Sequence, residues 1–190
     1  MMAVDTALPQ GVALPSRAAL TAFALAALAI GGAWVSQLFF GLQPCELCLL
    51  ERWPYYVGVP LALLAVIAMR GAMATSRNLG GGLGSSGLGS SGLGTWLLAL
   101  VALVFLAGTG LGIYHAGVEW HFWEGPSACT GQYAAPASTD DFLKSLEAGP
   151  SIRCDEAAIR ILGLSLAGWN AVISLLIAAI AVIGVRAARR

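Results

Sequence analysis

The chain has 190 residues, of which 58% are hydrophobic and only 11% charged, and its ten basic and ten acidic side chains cancel. Soluble domains carry about a quarter charged residues, so this composition excludes an ordinary soluble protein and indicates one small integral membrane domain, residues 1–190. We therefore expect membrane lipid as a partner, and no nucleic acid.

Four stretches free of Asp, Glu, Lys and Arg follow one another along the chain. Each is long enough, or nearly so, to cross about 30 Å of hydrocarbon as a helix, and helices are expected because lipid offers the backbone no hydrogen bonds. The second stretch is the shortest, so its helix is expected to begin near Pro44. The predicted fold class is an all-α membrane protein, a four-transmembrane-helix bundle with spans at 18–40, 44–69, 96–118 and 161–185. The uncharged stretches are Ala18–Phe40, Trp53–Met69, Trp96–Val118 and Ile161–Val185.

The connections between the spans differ in character. The first span lacks a small-residue cleavage site near its end, so we expect it to be retained rather than removed as a signal peptide. The Gly- and Ser-rich connection 78–95 is typical of a flexible tether. In the connection 119–160, Phe142, Leu143 and Leu146 share one face of a predicted short helix. Such a helix suits the membrane surface, and a small amphipathic turn packed against the loop is the alternative.

The distribution of arginine predicts the orientation of the four spans. Both termini and the connection 78–95 lie on one side, which carries six arginines and a single acid, Asp5. By the positive-inside rule this side is cytoplasmic. The loop 119–160 and all four cysteines then face outward, which in a bacterium is the oxidising periplasm, where disulfides persist. The arginines are Arg17, Arg70, Arg77, Arg186, Arg189 and Arg190.

The chemistry concentrates in a Cys-x-x-Cys pair, Cys45 and Cys48, at the start of the second span. Pro44 suits the first turn of a helix, which would place Cys45 near the positive end of the helix dipole, where a thiolate is stabilised. Cys48 and Arg52, four residues apart, are predicted to share one helical face, and the arginine would favour the ionised thiol. Two residues between cysteines also permit a strained, reducible disulfide of the catalytic kind.

Other uses of the cysteines stay open at this point. A Cys-x-x-Cys can form half of a zinc site that Cys129 and Cys154 would complete, but this second pair lacks the close spacing of such sites, and we expect no metal. A crosslink in the periplasm also stabilises a loop, so Cys129 and Cys154 could be purely structural. In the non-enzymatic alternative, the chain is a disulfide-stapled membrane scaffold whose cysteines never turn over.

The pattern Pro-Cys-x-Leu-Cys-x-x-x-Arg at the start of the second of four spans, with a distant cysteine pair in the second outer loop, resembles the DsbB family of disulfide bond formation proteins. The stretches from Tyr114 to Trp120 and from Gly125 to Cys129 resemble the α-proteobacterial branch of that family. The resemblance covers nearly the whole chain except the amino-terminal tail and the Gly/Ser tether. It implies a bacterial inner-membrane enzyme that reoxidises a periplasmic DsbA-like thioredoxin-fold dithiol oxidase and passes the electrons to ubiquinone or menaquinone.

The resemblance also implies a role for each cysteine. Cys129 would be attacked by the partner's thiol, with Cys154 as its disulfide mate. Electrons would then pass by exchange to Cys45 and Cys48, and Cys48 would face the quinone ring. These four cysteines are therefore the predicted catalytic residues.

Arg52 and His115 are the predicted quinone-binding residues beside Cys48. Arg52 matches the family arginine that lies at the quinone, and His115 matches a family position near the same pocket. Family members often carry Gln where this chain has Glu119, and we assign Glu119 no role. From the residues alone, Tyr55 and its aromatic neighbours are interpreted as anchors in the membrane interface, with the lining of a quinone cleft as the alternative.

One rival class of enzyme, the homologues of vitamin K epoxide reductase, also joins a Cys-x-x-Cys to a quinone in a four-helix core. In that class the reactive pair is expected at the last span, whereas the spans of this chain after the second contain no such pair. The order of the cysteines therefore favours the DsbB-like interpretation.

Overall fold

The computed structural model describes residues 10–78, 90–126, 138–140, 143 and 153–190. Most of these residues are helical, and one small antiparallel hairpin accompanies the helices. The helices are α1 Gln10–Phe40, α2 Glu46–Leu50, α3 Trp53–Asn78, α4 Ser90–Glu119 and α5 Leu166–Ala188, and the hairpin strands are β1 Arg160–Ile161 and β2 Leu164–Ser165.

Four helical segments of the described chain are long and apolar enough to cross a membrane. They have 23 to 28 residues each, and a span requires about 20. The predicted all-α membrane bundle is therefore confirmed. The segments are Leu14–Phe40, Glu46–Gly71, Gly92–Glu119 and Leu166–Ala188.

The four long helices pack as a closed ring. Helix α1 contacts α3 and α5, and α4 contacts the same two helices. Successive spans run in opposite directions, so every neighbouring pair in the ring is antiparallel. The end of α1, the start of α3, the end of α4 and the start of α5 therefore meet at one end of the bundle. We call this region, formed by residues 45–55, 112–119 and 154–174, the cysteine end.

Small side chains hold the other half of the bundle together. Ala19, Ala22 and Ala26 lie on one face of α1, and none of the three has exposed surface. Small residues let membrane helices approach closely, so that dispersion contacts replace the missing hydrophobic driving force. We call the resulting cluster the alanine core. Its fully or almost fully buried members also include Ala62, Ala65, Leu98, Val101, Phe105, Ile177, Ala178 and Ala181.

The last span begins later than the uncharged stretch that predicted it. We expected a span from Ile161, whereas α5 begins at Leu166 and the residues before it form the hairpin. Leu162 and Gly163 make its two-residue turn with φ values of 53° and 84°, the left-handed region that such hairpin turns use. Ser165 then caps α5, because its Oγ accepts a hydrogen bond from the Gly168 N–H at 3.1 Å. The uncharged stretch could not reveal this change from strand to helix.

The Gly/Ser connection is also shorter than predicted. Helix α3 continues to Asn78 and α4 already begins at Ser90, inside the tether predicted at 78–95. At Gly94 the helices pass so closely that an added Cβ would lie 2.6 Å from Met69 Cγ. Glycine is therefore a packing residue there. Of the predicted surface helix, Phe142 and Leu146 lie outside the described residues.

Candidate redox site

Cys45 caps the short helix at the start of the second span. Its backbone is extended (φ −75°, ψ 172°), and its Sγ accepts a hydrogen bond from the Cys48 backbone N–H at 3.2 Å. A side chain at this position satisfies one of the unpaired N–H groups of a helix start. Cys45 thus lies at the donor-rich end of α2, as the sequence predicted, although Pro44 precedes the helix instead of occupying its first turn.

Cys45 and Cys48 are free cysteines whose sulfur atoms lie 2.6 Å apart. A disulfide holds its sulfurs at about 2.05 Å, so oxidation of this pair requires only a small movement. Cys45 is buried, whereas Cys48 is half-buried and keeps some exposed surface. Cys45 is therefore the more buried residue of the pair, and Cys48 is the more exposed one.

The imidazole of His115 is the third group at this pair. Its Nε2 lies 3.7 Å from Cys45 Sγ, and its Nδ1 lies 2.8 Å from Glu51 Oε1. The hydrogen bond with the Cys48 side chain and, to a smaller extent, that with His115 lower the pKa of the Cys45 thiol to about 4, although burial alone raises it. The lowered pKa favours the thiolate form of Cys45, which is the nucleophilic one.

Glu51 is a buried carboxylate with both oxygens engaged. Oε1 faces His115, and Oε2 accepts a hydrogen bond from Asn170 Nδ2 at 3.0 Å. Asn170 is fixed in turn by Tyr55, whose hydroxyl donates to Asn170 Oδ1 at 2.6 Å and lies 3.2 Å from Ser174 Oγ. Three membrane-spanning helices thus supply one buried polar network. Such a network orients its members only because each is satisfied.

The second cysteine pair reaches the first through Cys154. This residue has no exposed surface, is disulfide-bonded, and belongs to one buried cluster with Cys45, Leu47 and Val118. The Cys48 side chain packs against the same cluster. Cys129, the predicted mate of Cys154, lies outside the described residues. The structure therefore places Cys154 in the same buried cluster as the first cysteine of the Cys-x-x-Cys pair.

Arg52 points in a different direction from the one expected. The sequence predicted that Arg52 and Cys48 share a helical face, but α2 ends at Leu50 and a turn at Glu51 and Arg52 separates it from α3. The Arg52 guanidinium instead donates to Gln37 Oε1 at 2.8 Å and lies 5.5 Å from the ring centroid of Trp34. Both partners belong to α1. The turn therefore sends Glu51 into the bundle and Arg52 to its side.

The groups around Arg52 suit a quinone. Its guanidinium N–H groups can donate to a quinone oxygen, and the Trp34 ring, 44% exposed, offers a flat apolar surface. The half-buried Cys48 lies at the start of the same segment. His115 is less suited to contact such a ring directly, because it is 2% exposed and both its nitrogens already face protein groups.

Two further residues behave differently from the sequence-based expectation. Tyr55, interpreted as an interface anchor, is 4% exposed and packs edge-on against Phe105 with ring centroids 5.2 Å apart. Glu119, to which we assigned no role, is 7% exposed, and its Oε2 has no hydrogen-bond partner among the residues that the structure describes. It lies one helical turn beyond His115.

The sequence analysis missed Glu51 as a member of the site. Its signal was nevertheless present, because Glu51 is an acid inside a segment apolar enough to span a membrane, and intramembrane acids are rare and usually functional. Asn170 carried a weaker signal of the same kind. What hid Glu51 was its neighbour Arg52, since the pair Glu-Arg looks like an ordinary charged boundary of a span.

Among the described residues, Cys45, Cys48 and His115 also form a group whose ligand atoms all lie within 4.8 Å of one another. Thiolate and imidazole are the ligands that zinc prefers in proteins. This group differs from the four-cysteine set considered from the sequence, since it recruits a histidine from α4 in place of the second cysteine pair.

Comparison with known proteins places the chain among disulfide-forming membrane proteins. The family model for disulfide bond formation protein DsbB matches residues 15–184. A protein named disulfide bond formation protein B 1 from Pseudomonas fluorescens strain Pf-5 is 30% identical over 160 residues, or 82% of this chain and 80% of that protein. Its namesake from strain Pf0-1 is 29% identical over 153 residues, covering 78% and 76% of the two chains.

A further relative carries no functional name. An uncharacterized protein of Rickettsia prowazekii (strain Madrid E) is 22% identical over 158 residues, or 82% of this chain and 79% of that protein. No solved structure matches the chain.

Proposed function

Because the chain belongs to the DsbB family of disulfide bond formation proteins, and is thus a multi-pass membrane oxidoreductase, we propose that it reoxidises a periplasmic DsbA-like dithiol oxidase and reduces ubiquinone or menaquinone. We further propose that it lies in the bacterial inner membrane with both termini in the cytoplasm. The family match also favours this function over that of a vitamin K epoxide reductase homologue.

One observation carries the proposal: the disulfide-bonded Cys154 shares a buried cluster with Cys45, and Cys48 packs against that cluster. Thiol exchange requires a thiolate to reach a disulfide sulfur. Because Cys154 lies in the same buried cluster as Cys45, exchange needs local movement only. A purely structural crosslink has no need of a place beside a thiol of lowered pKa.

The exchange conserves atoms and electrons at each step. A thiolate of the reduced partner attacks Cys129 and breaks its bond to Cys154, and the partner's second thiol then completes the partner disulfide. Cys154 then attacks Cys45 and breaks an oxidised Cys45–Cys48 bond. Cys129 attacks Cys154, which displaces Cys45 and restores the Cys129–Cys154 disulfide. Two electrons now reside on Cys45 and Cys48, and two protons have passed from the partner's dithiol to the site that contains this pair.

A bound quinone would accept both electrons from Cys45 and Cys48, together with two protons from the same site, and so return the pair to its disulfide. In this proposal the chain holds that quinone through the N–H donors of Arg52 and the apolar wall at Trp34, with Cys48 as the nearer sulfur. Gln37 fixes the arginine by accepting a hydrogen bond from its guanidinium. His115 serves the sulfur side of the reaction.

Turnover with purified components tests the function. The protein in nanodiscs, mixed with a reduced DsbA-type protein and a short-chain ubiquinone, should reduce many quinones per protein and consume one partner dithiol for each. Cys45→Ser should fall to the uncatalysed rate, whereas His121→Ala, at an exposed position, should match the parent. Oxidation of a single partner equivalent followed by arrest would indicate the disulfide-stapled scaffold instead. Repeating the assay with a menaquinone analogue separates the two quinones.

A further inference from the structure

A buried chain of polar contacts leaves the Cys45 sulfur and ends in α5. It runs from Cys45 Sγ to His115 Nε2 at 3.7 Å, from His115 Nδ1 to Glu51 Oε1 at 2.8 Å, and from Glu51 Oε2 to Asn170 Nδ2 at 3.0 Å. The side chains of His115 and Glu51 are only 3% and 10% exposed. Water therefore has little access to either group.

The contacts decide which way the imidazole is protonated. A carboxylate oxygen can only accept a hydrogen bond, so Nδ1 carries the proton that faces Glu51. In the neutral ring Nε2 then presents its lone pair toward Cys45. A cysteine, a histidine and an acid in this order match the geometry by which an orienting acid prepares a histidine as a base.

We propose that Glu51 is a positioning residue of the redox site, which holds His115 so that Nε2 takes the proton of the Cys45 thiol in each catalytic cycle and gives it up when Cys45 and Cys48 form their disulfide. The inference deepens the proposed function and rests on it for its catalytic meaning. Its structural content, a charge-coupled Cys45–His115–Glu51 triad, can be tested without quinone or partner protein.

The proton balance of the triad is simple. Transfer from Cys45 to His115 converts a neutral pair into a thiolate and an imidazolium, and the Glu51 carboxylate faces the new positive charge. When Cys45 and Cys48 form their disulfide, two electrons leave with the proposed quinone, and the His115 proton is one of the two that must follow. A buried imidazolium without a counter-charge would be strongly disfavoured.

Beyond Glu51 the chain of contacts serves as an anchor. Asn170 donates to Glu51 through its amide and accepts from the Tyr55 hydroxyl. An amide does not exchange protons readily enough to relay them, so we assign Asn170 and Tyr55 no proton-carrying role. They fix the carboxylate, and the carboxylate fixes the imidazole.

Other groups around the triad act on the same charge. Five further residues lie around the triad. They are Cys48 in the segment after Cys45, Tyr55 on α3, Glu119 at the end of α4, Asn170 on α5 and Cys154 in the loop before β1. Of these, Glu119 is the second buried acid, but His115 hydrogen-bonds to Glu51 and not to Glu119. The exposed Glu46, next to Cys45 in sequence, is shielded by solvent and provides a matched control.

The test measures the alkylation rate of Cys45 between pH 4 and pH 8 in full-length protein that carries Cys48→Ser and keeps the Cys129–Cys154 disulfide intact. Cys45 is then the one reduced thiol, and the serine hydroxyl keeps the hydrogen bond to it. Glu51→Gln should raise the midpoint of the pH profile by about one pH unit, a tenfold loss of rate on its acidic limb. Glu46→Gln should move the midpoint by less than about 0.3 unit.

A second variant guards against a folding defect. Asn170→Leu keeps both charges of the triad and removes only the anchor, so it should raise the midpoint in the same direction by a smaller amount. Folding is checked for each variant by helical circular dichroism and thermal unfolding. An unchanged profile in folded Glu51→Gln, or in Asn170→Leu if the first variant does not fold, would overturn the assignment.

The two proposals fail in different ways. If the parent protein alkylates with the low midpoint and Glu51→Gln shifts it, but no quinone is reduced, then the triad stands and the oxidoreductase function proposed above does not. If the parent turns over and Glu51→Gln has the parent's alkylation profile and turnover, then the function stands and Glu51 has no part in it.

Discussion

The alanine core and the cysteine end lie on the same four helices but differ in the polarity of the side chains that they bury. The alanine core consists of buried hydrophobic side chains, many of them alanines, whereas the cysteine end buries His115, Glu51 and Glu119 beside sulfur. Ionisable groups are costly inside a membrane. The comparison teaches that close packing in one half stabilises the bundle enough to hold a polar, reactive site in the other.

Tyr55 joins the two halves. Its ring packs in the alanine core against Phe105, while its hydroxyl reaches Asn170 and Ser174 at the cysteine end. The orientation of the polar network is therefore tied to the apolar packing beneath it. The following substitutions and measurements test the cysteine end and its link to the alanine core.

The largest expected effect comes from removing the base at the cysteine end. His115→Ala should lower turnover by about a hundredfold, because the Cys45 thiol loses its proton acceptor. The control is His121→Ala, the other histidine of the chain, which is exposed at the turn after α4. Equal turnover of both variants would show that the buried histidine serves packing alone.

A slightly smaller effect is expected where α4 and α5 approach most closely. A Cβ at Gly112 would lie 2.8 Å from the Ala171 backbone nitrogen, whereas nothing lies within 4 Å of a Cβ at Gly110. Gly112→Ala should therefore lower the unfolding free energy by about 1–3 kcal/mol, and Gly110→Ala should leave it unchanged or raise it. Unfolding in mixed detergent, followed by circular dichroism, makes the comparison.

Cutting the link between the two halves should have a moderate effect. Tyr55→Phe keeps the ring in the alanine core but removes the hydroxyl from Asn170, so the unfolding free energy should fall by about 1 kcal/mol and turnover by a few-fold. Tyr56→Phe, at an exposed position, is the control. A loss of stability without any change in turnover would separate the network from the chemistry.

The smallest expected change is in the pH response of the reduced parent protein. With its pKa lowered to about 4, Cys45 is ionised at pH 8 and still ionised at pH 6. Its alkylation rate, resolved from that of Cys48 by mass spectrometry, should therefore change less than about twofold over this interval, in which an ordinary thiol loses about two orders of magnitude. A steep fall toward pH 6 would contradict the thiolate state.

The bundle could be predicted because its four spans are visible in the hydropathy along the chain. Length and hydropathy identified four spans, because any segment in lipid must satisfy its own backbone hydrogen bonds. The same signal could not find the hairpin at Arg160–Ser165, since its residues are as apolar as a span and the turn at Leu162 and Gly163 depends on backbone angles.

The candidate site was predicted in part. The spacing of Cys45 and Cys48 predicted a reactive pair. The resemblance to the family pointed to His115, whose Nε2 lies 3.7 Å from Cys45 Sγ. The sequence did not reveal that the Arg52 side chain contacts Gln37 and Trp34, because those contacts depend on how α1 packs beside the turn after α2. Glu51 was missed because the pair Glu-Arg looks like an ordinary charged boundary of a span.

The order of residues alone determined that this protein is helical, crosses a membrane, and carries its sulfur chemistry beside the spans, because hydrophobic length and cysteine spacing are local properties. Only the tertiary structure decided which groups meet. Cys45, His115, Glu51, Asn170 and Cys154 come from separate segments, and their contacts exist because four antiparallel helices end at one level of the bundle. A sequence records neighbours along the chain, whereas buried charge and thiolate reactivity depend on neighbours in space.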